Sequence, residues 1–297
     1  MIKAEPVKPV LVADEEPRWG YTMEQLATAP MAFREDLFAD QVVLITGGGG
    51  GFGRAMAFMF ARLGAHVIVS GRKPEKLDKT AEGVARLLGK EISTVPMNIR
   101  RPADCEALID HAWERYGRLD LLVNNAGGQY PQAAIDFSTK GWLAVIDTNL
   151  NGTWYMMQAA ARRWRDAKVP GSIVNIVANV WRGMPQVAHT CAARAGVIYL
   201  SKTLSTEWAP FDVRVNCVSP GSINSDGLNV YDPAAALQFK NSNPMRRFGH
   251  VYDVGQAVAY VGGPAGSFTT GAVIVVDGGN AQWGDVWPAG KPDYFTV

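Results

Sequence analysis

The sequence predicts an α/β chain in which one doubly wound parallel sheet of about seven strands carries helices on both faces. Two observations carry this. Short runs rich in β-branched residues ("VVLITG", "HVIVSG", "STVPMN", "DLLVNNAG", "SIVNIV", "VRVNCVSPG", "VIVVDGG") recur from Gln41 onward. They are apolar throughout rather than alternating, as strands covered on both faces must be. Between them lie stretches such as "RAMAFMFARLG" and "DCEALIDHAWERYG", with apolar residues three and four apart and a terminal glycine, the pattern of amphipathic helices. Strand and helix in regular alternation give right-handed crossovers and a Rossmann-like sheet.

Residues 1–40 stand apart: Pro6, Pro9 and Pro17 break the first part, and only "YTMEQLATAPMAFREDLF" has helical character, so an arm laid over the core is expected. The domain proper runs from 41 to 280, and 281–297 form a C-terminal tail. The segment 222–249, "SINSDGLNVYDPAAALQFKNSNPMRRFG", has no strand pattern and follows the carboxyl end of a strand. Ligands bind on that side of such sheets, so it is expected to be a substrate lid.

Composition narrows the function. Of the 297 residues, 47% are hydrophobic and 19% charged, and 29 Lys plus Arg against 28 acids leave a net charge of +1. A chain of this length buries roughly 75% of its unfolded surface. The charge balance excludes the broad attraction that nucleic acid or an anionic membrane requires. Cys105, Cys191 and Cys217 are odd in number and dispersed, and the four histidines are equally scattered, so reduced thiols and no metal site are expected. The first residues lack an apolar signal core, no run reaches the ~20 apolar residues of a membrane span, and the tail "YFTV" is no peroxisomal address. A cytoplasmic protein without membrane or nucleic-acid partners is expected.

"VVLITGGGGGFGRAMAF" places six glycines within seven residues between a strand and a helix. Gly47, Gly51 and Gly53 fit T-G-x-x-x-G-x-G, and Gly48, Gly50 and Gly53 fit G-x-G-x-x-G. Such a loop turns tightly and brings backbone amides at a helix start against a pyrophosphate. About 20 residues on, an NAD site carries Asp or Glu for the ribose 2′-hydroxyl. Here Ser70, Gly71 and Arg72 stand there, and an arginine suits the 2′-phosphate of NADP(H).

With "TGGGGGFG", "LVNNAGGQ", "TNLNGTWYM", "GSIVNI" and "VNCVSPG" in order over 41–280, the chain resembles the short-chain dehydrogenase/reductase superfamily. The resemblance implies that Thr46, Gly47, Gly50, Gly51, Phe52 and Gly53 hold the pyrophosphate. It places Asn98 and Ile99 beside the adenine, and Asn125, Ala126 and Gly127 on the adenine side supporting the central strand. Pro220, Gly221 and Ile223 would abut the nicotinamide carboxamide. Asn149 would occupy the kinked helix bearing the family's catalytic asparagine. A homotetramer through the helices around 141–165 and 188–209 is also implied.

The active-site residues depart from the pattern. Where the family has its serine, this chain has Val177, Ala178 and Asn179. The tyrosine falls on Thr190, or on His189 with a one-residue shift, and the lysine falls on Arg194. "GGQY", "STKGWLAVIDTNLNGTWYM", "HTCAARAGV", "LSTEWAPFDVRVNCVSPG" and the tail "GDVWPAGKP" resemble the trans-2-enoyl-CoA reductases described from peroxisomes and the 2,4-dienoyl-CoA reductases. Some of these place a tyrosine where this chain has Ile198. Reduction of a ketone ends on an alkoxide that needs an acid. Reduction of a conjugated thioester ends on an enolate that needs hydrogen-bond donors, each worth ~3 kcal/mol.

The resemblance therefore implies an NADPH-dependent reductase of an acyl-CoA-type substrate. Asn149 and Thr190 are candidate donors or water-holders, and Asn179 is a further candidate. Arg194, too basic to be a general base, is a candidate for binding the nicotinamide ribose and keeping the pocket positive. Tyr199 and Lys202 are expected at packing or interface positions. Trp181, Met184, Leu228, Tyr231 and Phe239 are candidates for an acyl pocket. Two other readings remain open: a carbonyl or alcohol oxidoreductase with an unconventional acid, and a nucleotide-binding protein without catalysis.

Overall fold

The structure, a computed structural model, describes residues 19–283. The first part of the arm and "GDVWPAGKP" of the tail lie outside the described residues. Seven strands form one sheet in the order β3-β2-β1-β4-β5-β6-β7, every pair parallel. They are β1 (Val42–Thr46), β2 (His66–Gly71), β3 (Ser93–Pro96), β4 (Leu121–Asn124), β5 (Gly171–Ile176), β6 (Val213–Pro220) and β7 (Val273–Val276). All of β1, β4 and β5 is buried, which accounts for the uninterrupted apolar runs.

The chain winds outward from β1 to β3, then returns to place β4 on the other side of β1. That reversal opens a crevice at the carboxyl ends of β1 and β4, the place where such sheets bind ligands.

Each sheet face has its own core. On one side α2 (Gly51–Arg62) and α9 (Val251–Gly262) bury Phe58, Phe60, Val254 and Val258 against β1 and β4. On the other, α4 (Pro102–Tyr116) and α6 (Gly152–Ala167) bury Leu108, Met156 and Trp164. The described arm residues pack on the first face. Helix α1 (Met23–Thr28) starts at a reciprocal Thr22–Gln25 capping box and sets Leu26 into the core, where its carbonyl accepts from Tyr252 Oη at 2.7 Å. The helix α3 (Pro74–Leu88) follows β2. Among the described residues no helix is long and apolar enough to cross a membrane.

Residues 222–249 form no strand, as expected. A parallel bridge between Ile223 and Gly249 closes the base of the segment. Above it lie a 3₁₀ turn (Asp226–Val230), the short α8 (Pro233–Gln238) and a second 3₁₀ turn (Phe239–Ser242). Asp232 caps α8, accepting from the Ala235 amide at 2.9 Å. Leu228, Ala236 and Phe239 make a separate small core with Trp19 and Val187. Apart from Ile223 at its base, which joins the first core, the excursion packs against the domain outside its two main cores.

Candidate active site

The pyrophosphate cradle is built almost wholly from backbone. Gly47 leaves β1 with φ +72°, a conformation that favours glycine. A Cβ on Gly53 would collide with the carbonyl oxygen of Gly47, so only glycine lets the first turn of α2 lie this close to the loop. The loop is locked to β4: the amides of Asn125 and Ala126 each donate to Thr46 Oγ1 at 3.0 Å, and Asn125 Nδ2 donates to the Thr46 carbonyl at 2.9 Å.

Helix α2 has glycine at its N-cap and no side-chain cap, so its first amides are available to an anion. The segment 222–249 already offers one: Asp226 Oδ2 accepts from the Gly51 amide at 3.3 Å and lies 3.5 Å from Arg54 Nη1. Beside the cradle a cavity of about 300 Å³ is lined by Asn98, Ile99, Ala126, Arg72, Lys73 and Lys76. Arg72 thus stands in a group of three cations. Lys73 and Lys76 open the helix after β2, beyond the strand end where the cofactor-selecting residue is expected, so the glycine-loop pattern does not point to them.

A second cavity, about 450 Å³, continues from the cradle past Phe52, Gly127, Pro220, Gly221 and Ile223. Of the residues proposed from the sequence for an acyl pocket, Met184, Leu228, Tyr231 and Phe239 line it. Trp181 does not; it is 45% exposed and outside the cavity lining.

Asn149, Thr190 and Arg194 converge on this cavity from two helices. The helix α5 (Thr139–Ile146) runs into a π-helical turn, Asp147–Asn151, before α6 begins. The wide turn is the kink implied for Asn149, and it turns this amide toward the turn after β4. Asn149 Nδ2 donates to the Gly128 carbonyl and its Oδ1 accepts from the Gly128 amide, both at 3.0 Å. Gly128 takes only one of the two hydrogens on that nitrogen.

Thr190 and Arg194 sit one turn apart on α7 (Ala188–Glu207). The guanidinium lies against Gly127, where a Cβ would meet its Nη2, and Nη1 is buried without a partner among the described residues. Burial draws Arg194 down to about 10; the neighbouring Cys217 thiol, pushed up to about 11 by its own burial, supplies no anion at neutral pH. A buried guanidinium without a carboxylate among the described residues is costly, and such a group answers an anionic or carbonyl ligand.

The other candidates are placed elsewhere or otherwise engaged. His189 is buried outside the cavity lining, its ring stacked on Phe137 with centroids 4.5 Å apart and its Nδ1 accepting from the Thr190 amide at 2.7 Å. The one-residue shift therefore puts no histidine at the site. Asn179 lines the cavity, but Nδ2 donates to Asp277 Oδ2 at 3.1 Å and Asn280 Oδ1 at 2.6 Å. Both N–H groups are spent on the loop after β7, so Asn179 braces the wall instead of donating to a ligand. Tyr199 is exposed beneath the Lys202 ammonium, 4.9 Å from its ring centroid, away from the cavity.

A dinucleotide fits these residues: a glycine-only cradle at an uncapped helix start, a cationic pocket on one side, and an unpaired buried cation at the entrance to the other.

The family model described as enoyl-(acyl carrier protein) reductase matches residues 48–281. A Bacillus subtilis (strain 168) protein named probable 2,4-dienoyl-CoA reductase is 36% identical over 253 residues, covering 84% of this chain and 98% of the relative. The peroxisomal 2,4-dienoyl-CoA reductase of Mus musculus is 33% identical over 84% of this chain and 86% of its own length. Among solved structures, a citronellol catabolism dehydrogenase of Pseudomonas aeruginosa PAO1 superposes with TM-score 0.76 at 36% identity, over 84% of this chain and 99% of that one. An actinorhodin polyketide ketoreductase solved with NADPH does so with TM-score 0.77 at 28% identity, over 82% and 98%. Cradle, switch-point crevice and these likenesses agree: the chain belongs to the short-chain dehydrogenase/reductase family of oxidoreductases.

Proposed function

We propose that the protein reduces the α,β-double bond of a trans-2-enoyl-CoA with NADPH. The observation that carries the reading is Arg194, a buried and unpaired cation where a ketone-reducing site of this family has its lysine, with no tyrosine on the same helix face. The relatives named as dienoyl-CoA reductases support the substrate class, and the cluster of Arg72, Lys73 and Lys76 supports NADPH over NADH.

A bound reduced nicotinamide supplies a hydride. The protein's part is to hold the thioester so that its β-carbon faces that hydride and to stabilise the charge that moves to the thioester oxygen. Arg194 keeps the region positive in a low-dielectric pocket, where one charge counts for more than in water. The Asn149 amide, clasped by Gly128, is a fixed donor for that oxygen or for the water that protonates the α-carbon, and the Thr190 hydroxyl, 3.3 Å from His189 Nδ1, joins it by turning from that ring. The apolar lid wall of Leu228, Phe239 and Met184 receives the acyl chain. Arg194 also binds the nicotinamide ribose.

The test is loss of reduced-nicotinamide absorbance with NADPH and a medium-chain trans-2-enoyl-CoA. Turnover supports the reading; a folded protein that binds NADPH and gives none overturns it. The likeness to a citronellol catabolism dehydrogenase favours one other reading, an alcohol or carbonyl oxidoreductase, which requires NADP-dependent oxidation of an alcohol. Binding of NADPH with no hydride transfer to any acceptor would indicate a non-catalytic nucleotide binder. The proposal includes a homotetramer through α5, α6 and α7, where Leu143 and Tyr199 are exposed; a monomer in sedimentation would retire that part.

A further inference from the structure

We propose that Tyr231, carried by the lid, is a catalytic residue: its hydroxyl donates a hydrogen bond to the thioester oxygen of the substrate, positioned by Gln129. The proposal rests on the enoyl-thioester reading above and supplies the phenol that α7 does not bring to the cavity.

Four observations lead to it. Tyr231 and Gln129 both line the cavity that holds Asn149, Thr190 and Arg194. Gln129 Nε2 donates to Tyr231 Oη at 2.5 Å, across 102 residues of chain. Gln129 directly follows Gly127 and Gly128, the pair against which the Arg194 guanidinium and the Asn149 amide rest. The phenol is therefore tethered to the same turn as the Arg194 guanidinium and the Asn149 amide. Its ring meets Phe239 edge to face, centroids 5.3 Å apart, which fixes the ring plane.

The chemistry of the pair suits a donor. A phenol oxygen that accepts from an amide still carries its own hydrogen, and accepting polarises the O–H so that it donates more strongly. Burial holds the Tyr231 phenol above its ordinary range. It therefore keeps its proton at working pH and stabilises an enolate oxygen without transferring that proton, which is the requirement set by a conjugated thioester. No bond is made or broken at Tyr231; the α-carbon takes its proton from water.

The experiment pairs Tyr231→Phe with Gln129→Leu in steady-state assays on an enoyl-CoA. It also follows the carbonyl stretch of enoyl-CoA bound with NADP⁺, read by difference infrared spectroscopy. Expected for Tyr231→Phe is a fall in kcat of about 10²-fold, from loss of one oriented donor, with KM and the NADPH Kd nearly unchanged and the bound carbonyl moved toward its frequency in solution. Gln129→Leu should show a smaller fall and a partial frequency shift. A Tyr231→Phe variant with wild-type kcat and carbonyl frequency overturns the proposal, as does one that changes KM alone, the mark of a lid latch. Wild-type protein that binds NADPH yet leaves enoyl-CoA untouched overturns the enoyl reading and this proposal together, whereas wild-type turnover with an unimpaired variant overturns this proposal alone.

Discussion

The two ends of the crevice are made of different material. The pyrophosphate cradle is backbone: Gly47, Gly53, the helix-start amides and the Thr46–Asn125 lock. The other end is side chain: Asn149 from a π turn, Thr190 and Arg194 from α7, Tyr231 and Phe239 from the lid. Backbone recognition of a phosphate asks only for small residues and a helix start, so it admits little change. Side-chain chemistry can change one residue at a time on an unchanged scaffold. This chain has the glycine cradle, and by its resemblance to the family it carries Thr190 and Arg194 where the tyrosine and lysine are expected.

Removing the charge from the side-chain end should have the largest effect on turnover. Arg194→Met is expected to lower kcat by about 10³-fold while leaving Tm equal or higher, since the charge it deletes is buried and unpaired. Thermal shift and steady-state kinetics on one preparation read both; a lower Tm would mean that Arg194 is structural. In the wild type, activity should be level through neutral pH and fall as pH rises through about 10, where Arg194 loses its proton. Because folding lowers this group's affinity for its proton, its burial costs stability at all pH below about 10, and that cost is relieved as pH climbs toward the ordinary arginine range.

At the backbone end, Gly53→Ala should cost about 1–3 kcal/mol in chemical denaturation and abolish NADPH binding, whereas Gly128→Ala, with open space around it, should leave stability unchanged. A Gly53→Ala protein that binds normally would show that the cradle tolerates side chains after all. A smaller effect tests the cationic pocket: replacing Arg72, Lys73 and Lys76 by alanine should weaken NADPH by about tenfold to a hundredfold through lost charge-assisted contacts, with the NADH Kd unchanged. Equal losses for both cofactors would separate these residues from the 2′-phosphate. The least change is expected where the two ends meet. Asp226→Asn removes a carboxylate from the start of α2 and should tighten NADPH by about two- to fivefold; weaker binding would make Asp226 a supporting contact instead of a competitor.

How much of this could be read from residues alone follows the same division. The strands, their parallel order of covering helices and the glycine loop are written in neighbouring residues, and "VVLITGGGGGFG" carries strand, turn and helix start in one stretch. The pairing of Thr190 with Arg194 was also legible, because four residues on a helix is a local distance. Asn179 was not: its candidacy as a donor ends only because Asp277 and Asn280, from the far end of the chain, take both its N–H groups. Trp181 resembles a pocket residue in composition, yet the loop after β5 turns it to solvent.

The amino-acid order thus settled the layering, the cofactor cradle and the absence of the usual tyrosine, since hydrophobic periodicity and glycine placement act within a turn or a strand. Folding alone decided that Asp226 reaches Gly51 across 175 residues and that Gln129 reaches Tyr231 across 102. Those contacts depend on where the sheet reverses direction and where the lid packs, and no local pattern encodes the distance between residues that only the closed fold makes neighbours.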